Sequence, residues 1–252
     1  MVCSRHYEGR RCGKTSRKEV IKRIIENDEL ARKKHLPICQ DTGVVVCFLE
    51  VGYDVHFDGD IYQAINNAVS AAYTKGYLRK SVVRHPLDRV NTKNNAPAIT
   101  HIKLVEGDKV KIHVAPKGGG SENMSLVKML IPADGVEGIK KLVLDTVFNG
   151  GGKPCPPIIV GIGLGGNLEK SALLAKEALM REIDDSNSDP ILRDLENELL
   201  EEINKLGVGP MGFGGRVTCL AVKINAYPCH IASLPVAINI QCHASRHKSF
   251  VF

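Results

Sequence analysis

Three of the eight cysteines lie in short turn-like segments with unusual chemistry. Prolines and a glycine rigidify these turns, and a rigid turn can hold a thiolate toward a metal ion. The cysteines are 116 and 87 residues apart along the chain, which matches no zinc ribbon or Cys-x-x-Cys unit. Convergence on one metal centre and three separate buried cysteines therefore both stay open. The segments are Pro37-Ile-Cys39-Gln-Asp-Thr-Gly43, Lys153-Pro-Cys155-Pro-Pro157 and Gln241-Cys242-His-Ala-Ser-Arg-His-Lys248.

The remaining cysteines carry weaker signals. Cys47 and Cys219 lie inside apolar strand-like runs, which favours small core residues. Cys229 has less distinctive surroundings, and Cys3 and Cys12 lie in a basic N-terminal stretch. Eight cysteines in 252 residues are too few for a disulfide scaffold, and the chain does not open with the apolar core of a signal peptide. We therefore expect a reducing, cytoplasmic environment.

Two glycine-rich segments and one arginine-rich segment are further candidates for ligand binding. Residues 117–123 (KGGGSEN) predict either a flexible turn or a loop that brings backbone N–H groups close to an anion. Residues 161–166 (GIGLGG) follow a strand-like run, as the glycine motif of a dinucleotide-binding site does. Such a site also needs an acidic residue at the end of a second strand, and no second strand is predicted to end at the acidic residues that follow. Tight packing of a strand against a helix is therefore the favoured explanation of these glycines. Residues 76–95 carry guanidinium groups that are either solvated or able to bind a carboxylate, namely those of Arg79, Arg84 and Arg89.

The elements that must position these residues follow from hydrophobic periodicity. Helices are predicted over 17–34, 60–75, 134–148, 167–180 and 190–206, and strands over 44–51, 98–105, 109–114, 157–162 and 217–226. Ser16, Asp60 and Asp189 are expected N-caps, and the strands around Glu106-Gly-Asp108 are expected to pair. The interleaving predicts an α/β fold, one compact domain over residues 17–252 with mixed sheets flanked by helices, although the length also allows two lobes. Residues 1–16 are expected to form a flexible basic arm, which a non-native origin would also explain.

The net charge of +6 raises the question of a nucleic acid or an acidic membrane. Residues 1–36 hold eleven basic and five acidic residues, whereas residues 37–252 hold 23 of each. The longest apolar runs are also far too short to span a bilayer. Neither nucleic acid nor a membrane is therefore expected as a partner.

Five segments taken together closely resemble the α subunit of class I, iron–sulfur fumarate hydratases and of the sister L-tartrate dehydratases. They are residues 37–43, 76–95, 117–123, 154–157 and 230–248, and the likeness runs in order over about residues 17–248. The resemblance implies that Cys39, Cys155 and Cys242 bind a 4Fe–4S cluster with one iron left open as a Lewis acid. It further implies that Asp41 exchanges a proton with the substrate hydroxyl, and that substrate contacts come from Gln40, Arg79, Gly119 and His230.

By this resemblance the chain is the α subunit of a two-subunit hydro-lyase that interconverts fumarate and L-malate. L-Tartrate dehydratase, which converts tartrate to oxaloacetate, is the alternative. A β subunit is expected to supply the rest of the active site, including the catalytic base, and the assembly is expected to be a hetero-oligomer or a homodimer of α chains. The 36 residues before Pro37 are fewer than the family would lead us to expect. More remote alternatives are a non-catalytic iron–sulfur or nucleic-acid-binding module and a dinucleotide-dependent oxidoreductase.

Overall fold

The computed structural model describes the backbone of residues 14–252 and the side chains of residues 17–252. Most of the predicted basic arm over residues 1–16 therefore lies outside the described residues. The described residues group into two compact units, a larger one of residues 14–36 and 124–243, and a smaller one of residues 37–123 and 244–252. Each unit contains a four-stranded mixed sheet with helical cover. This confirms the predicted α/β class, with mixed sheets flanked by helices.

The helices are found within a few residues of their predicted bounds. Ser16 lies inside the first helix, which begins at Lys14, so the predicted cap at Ser16 is wrong. Three strands, β4 (Leu126–Leu130), β7 (Leu234–Gln241) and β8 (Lys248–Val251), were not predicted. In the described part of the chain the order is α1 (Lys14–Lys34), β1 (Val44–Gly52), α2 (Ile61–Lys75), β2 (Ile99–Val105), β3 (Val110–Lys117), α3 (Gly119–Glu122), β4 (Leu126–Leu130), α4 (Gly135–Gly150), β5 (Ile158–Gly165), α5 (Leu168–Ala178), α6 (Pro190–Lys205), β6 (Cys219–Tyr227), β7 (Leu234–Gln241) and β8 (Lys248–Val251).

The sheet of the smaller unit has the order β2-β1-β3-β8. β1 pairs in parallel with β2 and antiparallel with β3, so the predicted direct pairing of β2 with β3 is wrong. β1 is the most buried of the four strands. Because it lies between β2 and β3, it has a hydrogen-bonding partner along each of its edges. The connection from β2 to β3 then has to cross about 9.6 Å, two strand spacings, which residues 106–109 can span.

One face of this sheet packs against α2. Val45, Cys47, Leu49 and Val51 alternate along β1 and contact the apolar stripe of α2. The helix begins after Asp60, whose carboxylate accepts hydrogen bonds from the backbone N–H groups of the first turn, as predicted. This packing fixes the strand end at which the Cys39 segment enters the sheet.

The long loop between α2 and β2 is held by one fully buried amide, that of Asn95 (0% exposed). Its Oδ1 accepts hydrogen bonds from the backbone N–H of Ser81 at 2.6 Å and of Val82 at 3.2 Å. Its Nδ2 donates to the carbonyl oxygen of Gly43 at 3.1 Å. Asn95 also adopts a positive φ of 61°, a region that Asn tolerates better than most residues. The loop that carries Arg79 is thereby attached to the start of β1.

The larger unit has the strand order β4-β7-β5-β6, with α5 on one face and α4 and α6 on the other. Even-numbered residues of β5 point into the main core, whereas the opposite face carries Gly161 and Gly163. A Cβ at these two glycines would come within 2.3 Å of the Ala175 carbonyl oxygen and 1.9 Å of the Ser171 carbonyl oxygen in α5. Close strand-to-helix packing therefore accounts for the GIGLGG segment, as the sequence favoured. No helix of residues 14–252 has both the length and the apolar character needed to cross a bilayer.

The outer edge of β6 is covered by polar side chains rather than by another strand. Glu196 of α6, only 6% exposed, accepts hydrogen bonds from the backbone N–H of Ile224 at 2.6 Å and from Nη1 of Arg181 at 2.7 Å. Arg181 Nη1 and Asn187 Nδ2 donate to the carbonyl oxygen of Ile224. Burial lowers the pKa of Arg181, but its hydrogen bonds to Asp185 and Glu196 outweigh that effect and raise it. The open backbone groups of an edge strand are satisfied in this way.

The Glu196 network yields a stability prediction. Glu196→Ala should lower the free energy of unfolding by about 2–3 kcal/mol, because it leaves the buried N–H of Ile224 without its acceptor and removes one carboxylate partner of the partly buried Arg181. Glu196→Gln, which keeps an acceptor oxygen, should cost less. The matched control is Asp194→Ala on the same helix, whose side chain is 75% exposed and should change stability by about 0.5 kcal/mol or less. Urea unfolding measures all three, and equal effects of Glu196→Ala and Asp194→Ala would contradict the network.

Asn95 yields a second prediction. Asn95→Ala should cost about 2–4 kcal/mol, because two backbone N–H groups and one carbonyl lose their partner and alanine tolerates positive φ poorly. Residues 76–94 should then exchange their amide hydrogens faster. Asn67→Ala, at an exposed position of α2, is the control and should leave that exchange unchanged. Hydrogen exchange with mass spectrometry reads out both variants, and unchanged exchange of the loop in Asn95→Ala would refute the anchoring role.

Candidate active site

The turn that carries Cys155 connects α4 to β5 in the larger unit. Within it the backbone N–H of Cys155 donates to the carbonyl oxygen of Gly152 at 3.1 Å, and Cys155 itself has a positive φ of 56°. A non-glycine residue in this region is strained and needs support from its surroundings. Part of that support comes from the segment after α6, where the N–H of Met211 donates to the carbonyl oxygen of Pro156 at 2.7 Å. Gly152 also meets Gly212 so closely that a Cβ on either would approach the other backbone to about 3 Å.

Cys242 lies at the same end of this sheet because of strand register. β5 and β7 are antiparallel, with Ile159 opposite Gln241. Cys155 lies just before β5 begins, and Cys242 lies just after β7 ends. An antiparallel pair brings these two strand ends together. The residue after Cys242 completes the link, since Nδ1 of His243 lies 2.8 Å from the carbonyl oxygen of Cys155.

The Cys39 turn belongs to the smaller unit and leads directly into β1. The Cys39 thiol lies 3.3 Å from Oε1 of the exposed Gln40 side chain. Next to it the carboxylate of Asp41 accepts two backbone hydrogen bonds, from Gly43 at 3.0 Å through Oδ1 and from Gly119 at 2.8 Å through Oδ2. These bonds fix the orientation of a carboxylate that is still 25% exposed.

Arg79 reaches the same carboxylate. Its Nη2 lies 3.9 Å from Asp41 Oδ1, and the guanidinium remains 57% exposed. The backbone of Arg79 is held as well, because the hydroxyl of buried Thr42 donates to its carbonyl oxygen. From the other side Arg246 donates through Nη1 to the carbonyl oxygen of Asp41 at 2.7 Å. Four predicted residues of the smaller unit, namely Gln40, Asp41, Arg79 and Gly119, are thus placed within one turn and its immediate neighbours.

The glycine loop is an ordered single turn of helix, α3, rather than a flexible connection. The N–H of Gly119, predicted to contact substrate, donates to Asp41 in this structure. Beside the loop, Lys117 is only 5% exposed, and its ammonium group contacts Ser121 at 2.7 Å and Glu122 at 3.2 Å. The loop therefore holds Asp41 in place.

His230 occupies a different part of the larger unit. It follows β6, whose last residue, Tyr227, pairs with Gly165 at the far end of β5. The Cys155 turn lies at the start of β5, so about 23 Å of strand separates the two ends. His230 is exposed, and its Nδ1 accepts a hydrogen bond from the N–H of Ala232. Within this unit the structure does not bring His230 to the two cysteine turns.

The two strand cysteines, Cys47 and Cys219, are chemically unsuited to a metal. Burial raises the pKa of Cys47, and it raises the pKa of Cys219 to about 12, so that both stay protonated. Cys229 is exposed at the His230 end of the sheet. Among the side chains of residues 17–252, no group of three or more His, Cys, Asp or Glu has the spacing of a formed metal site.

Three residues that hold these turns were not among the candidates predicted from the sequence. His243 and Arg246 bond to backbone carbonyl oxygens, and Lys117 bonds to its own loop. The only sequence signal for the first two was their position in the Gln241–Lys248 segment next to Cys242. Polar side chains close in sequence to a predicted cysteine ligand are therefore candidates for the residues that hold its turn in place.

Comparisons with known proteins identify the family of the chain. The family model described as fumarate hydratase (Fumerase) matches residues 8–251. A protein of Methanocaldococcus jannaschii that carries a provisional L(+)-tartrate dehydratase subunit alpha name is 48% identical over 236 residues, covering 91% of this chain and 82% of its own. The L(+)-tartrate dehydratase subunit alpha of Escherichia coli K12 is 31% identical over 232 residues, covering 90% and 76%. The corresponding protein of strain UTI89 is 32% identical over 227 residues, covering 88% and 75%. The chain therefore belongs to the fumarate hydratase (Fumerase) family.

Proposed function

We propose that the chain is the α subunit of an iron–sulfur hydro-lyase that eliminates water from a hydroxylated four-carbon dicarboxylate. The observation that carries the proposal is the meeting of the Cys155 and Cys242 turns at one end of the larger sheet, in a chain of this family. Within the same proposal Cys39 supplies the third thiolate.

The three proposed ligands fit a 4Fe–4S cluster in their chemistry. Iron–sulfur clusters take cysteine thiolates, and Cys39, Cys155 and Cys242 all lie in partly exposed turns. The two strand cysteines, Cys47 and Cys219, are buried and keep their protons. When bound, a cluster with three protein ligands supplies an open iron that acts as a Lewis acid toward a substrate hydroxyl.

Asp41 is the proposed proton carrier of this chain. Its carboxylate is oriented by two backbone N–H groups, yet each oxygen keeps a lone pair and the side chain is partly exposed. A carboxylate held in this way can receive a proton from, or return it to, the departing hydroxyl group. The base that removes the carbon-bound proton is proposed to lie on the β subunit.

Arg79 is the proposed binding group for a substrate carboxylate. Its exposed guanidinium can form two parallel charge-assisted hydrogen bonds, and its backbone is fixed by Thr42 and by the Asn95 anchor. Gln40 is exposed beside Cys39 and is proposed to contact substrate as well. Gly119 is proposed to act through Asp41, to which its N–H already donates. His230 is proposed to contact substrate as well, but its position in the larger unit does not support this role.

For the substrate we propose L(+)-tartrate first and fumarate with L-malate second. The names of the relatives favour tartrate, whereas the description of the family model favours fumarate. The sequence alone put fumarate first. Both reactions break a carbon–oxygen bond next to a carbon that bears a carboxylate, so the groups described above serve either one. The relatives are named as alpha subunits, and we propose that this chain likewise acts with a β subunit.

Cluster assembly tests the ligand set. Anaerobic reconstitution of the full chain with iron and sulfide should yield about four irons per chain and a brown, oxygen-sensitive absorbance. Cys39→Ser, Cys155→Ser and Cys242→Ser should each lower the iron content, because a thiolate is lost. Cys219→Ser is the matched control and should retain the cluster. Uptake of zinc instead of iron, or equal iron content in all four variants, would overturn the proposal.

Kinetics with a co-expressed β subunit test the substrate assignment. L(+)-Tartrate should be turned over with a higher kcat/KM than L-malate, and the α chain alone should be inactive. Arg79→Ala should lower kcat/KM by about 10- to 100-fold, since a charge-assisted hydrogen bond contributes about 1.5–3 kcal/mol. Arg84→Ala, in the same loop but paired with Asp88, should behave like the unchanged protein. Preference for L-malate would select the second candidate, and equal losses in the two arginine variants would refute the role of Arg79.

A further inference from the structure

The imidazole of His243 forms a hydrogen bond that the proposed chemistry does not use. Its Nδ1 lies 2.8 Å from the carbonyl oxygen of Cys155, and its backbone N–H points to the same oxygen at 3.5 Å. A carbonyl oxygen only accepts hydrogen bonds, so Nδ1 must carry the hydrogen. The residue directly after one proposed ligand therefore donates to the backbone of another, 88 positions earlier in the chain.

The Cys155 turn needs such donors. Its Cys-Pro-Pro sequence contains two residues without an N–H, and it lies outside the β5 ladder, which begins at Ile158. Cys155 also holds a positive φ that a β-carbon disfavours. The carbonyl oxygen of Pro156 has the N–H of Met211 as its donor, and the carbonyl oxygen of Cys155 has His243. These two bonds hold the carbonyl groups of the turn, in addition to the bond from the Cys155 N–H to the carbonyl oxygen of Gly152.

We propose that His243 is a positioning residue that fixes the Cys155 turn relative to Cys242, so that both thiols are presented to the same metal centre. The role of the metal rests on the proposed function, whereas the hydrogen bond and its effect on the two thiols do not. Asparagine places an amide N–H at the position of Nδ1, so His243→Asn should preserve the effect and His243→Ala should abolish it.

Cross-linking of the metal-free full chain tests the inference without any activity. Dibromobimane becomes joined to two thiols only when both are close together, and mass spectrometry of the peptides identifies the Cys155–Cys242 product. His243→Ala should lower its rate of formation about fivefold, as expected for the loss of one hydrogen bond. His243→Asn should restore the rate. His247→Ala, whose ring contacts only the Ser245 hydroxyl among the bonds described, is the matched control and should not change it.

The outcomes separate this inference from the proposed function. If cross-linking falls in His243→Ala and recovers in His243→Asn, the positioning role is supported, even when no variant takes up iron and the proposed function fails. If the unchanged chain assembles a cluster but His243→Ala cross-links at the normal rate, the positioning role is wrong and the proposed function stands. Single alkylation of Cys155 and Cys242 in the unchanged chain, without a cross-link, would also overturn it.

Discussion

The antiparallel register of β5 against β7 is the constraint on which the larger unit depends. Pairing Ile159 with Gln241 places the start of one strand beside the end of the other. A shift by one residue would turn Val236, Ile238 and Ile240 away from the main core and toward the α5 side of the sheet, since these residues alternate into the core. Burial of this apolar face therefore also determines where Cys155 and Cys242 lie. In this unit, one strand register determines both the packing of the core and the position of the two thiols.

Two further features protect that register. Glycines on the α5 side of β5 let a helix approach the strand at backbone distance, which leaves the core side to branched apolar residues. At the outer edge, Glu196 and Arg181 satisfy backbone groups of β6 that would otherwise be open to another strand. The sheet is thus held on both faces and at one edge. A rigid platform of this kind suits a turn such as that of Cys155, which is strained and must still hold one orientation.

The sequence predicted what depends on local chemistry and missed what depends on distant partners. The caps Asp60 and Asp189 were correct, because an N-cap bonds to its own helix. β8 was missed, since four exposed residues gain strand character only by pairing with β3, more than 130 residues earlier. The β2–β3 pairing was wrong for the same reason, as β1 competes for both partners. In the site, residue types marked the cysteine turns, and the family resemblance marked Asp41. His243 and Arg246 bond to backbone carbonyls, which every residue carries and which leave no sequence pattern.

The electrostatics of the smaller unit show how a chain with an electrically balanced body could bind the proposed dianionic substrate. The excess positive charge lies in residues 1–36, while residues 37–252 carry equal numbers of acidic and basic residues. The attraction for a negatively charged substrate must then come from individual side chains that the fold positions, and not from the net charge of the body. Arg79 is far enough from Asp41, at 3.9 Å, to form only a loose ion pair, and its Nε donates to the Ser81 hydroxyl at 3.2 Å. The donors on its two terminal nitrogens are therefore still available. An incoming carboxylate can take those donors without breaking a tight bond, because Asp41 keeps its two backbone N–H partners. Specificity for a dicarboxylate would then arise from the fixed distance between the Arg79 guanidinium and the reacting carbon of the substrate. The net charge of the chain would contribute very little to it.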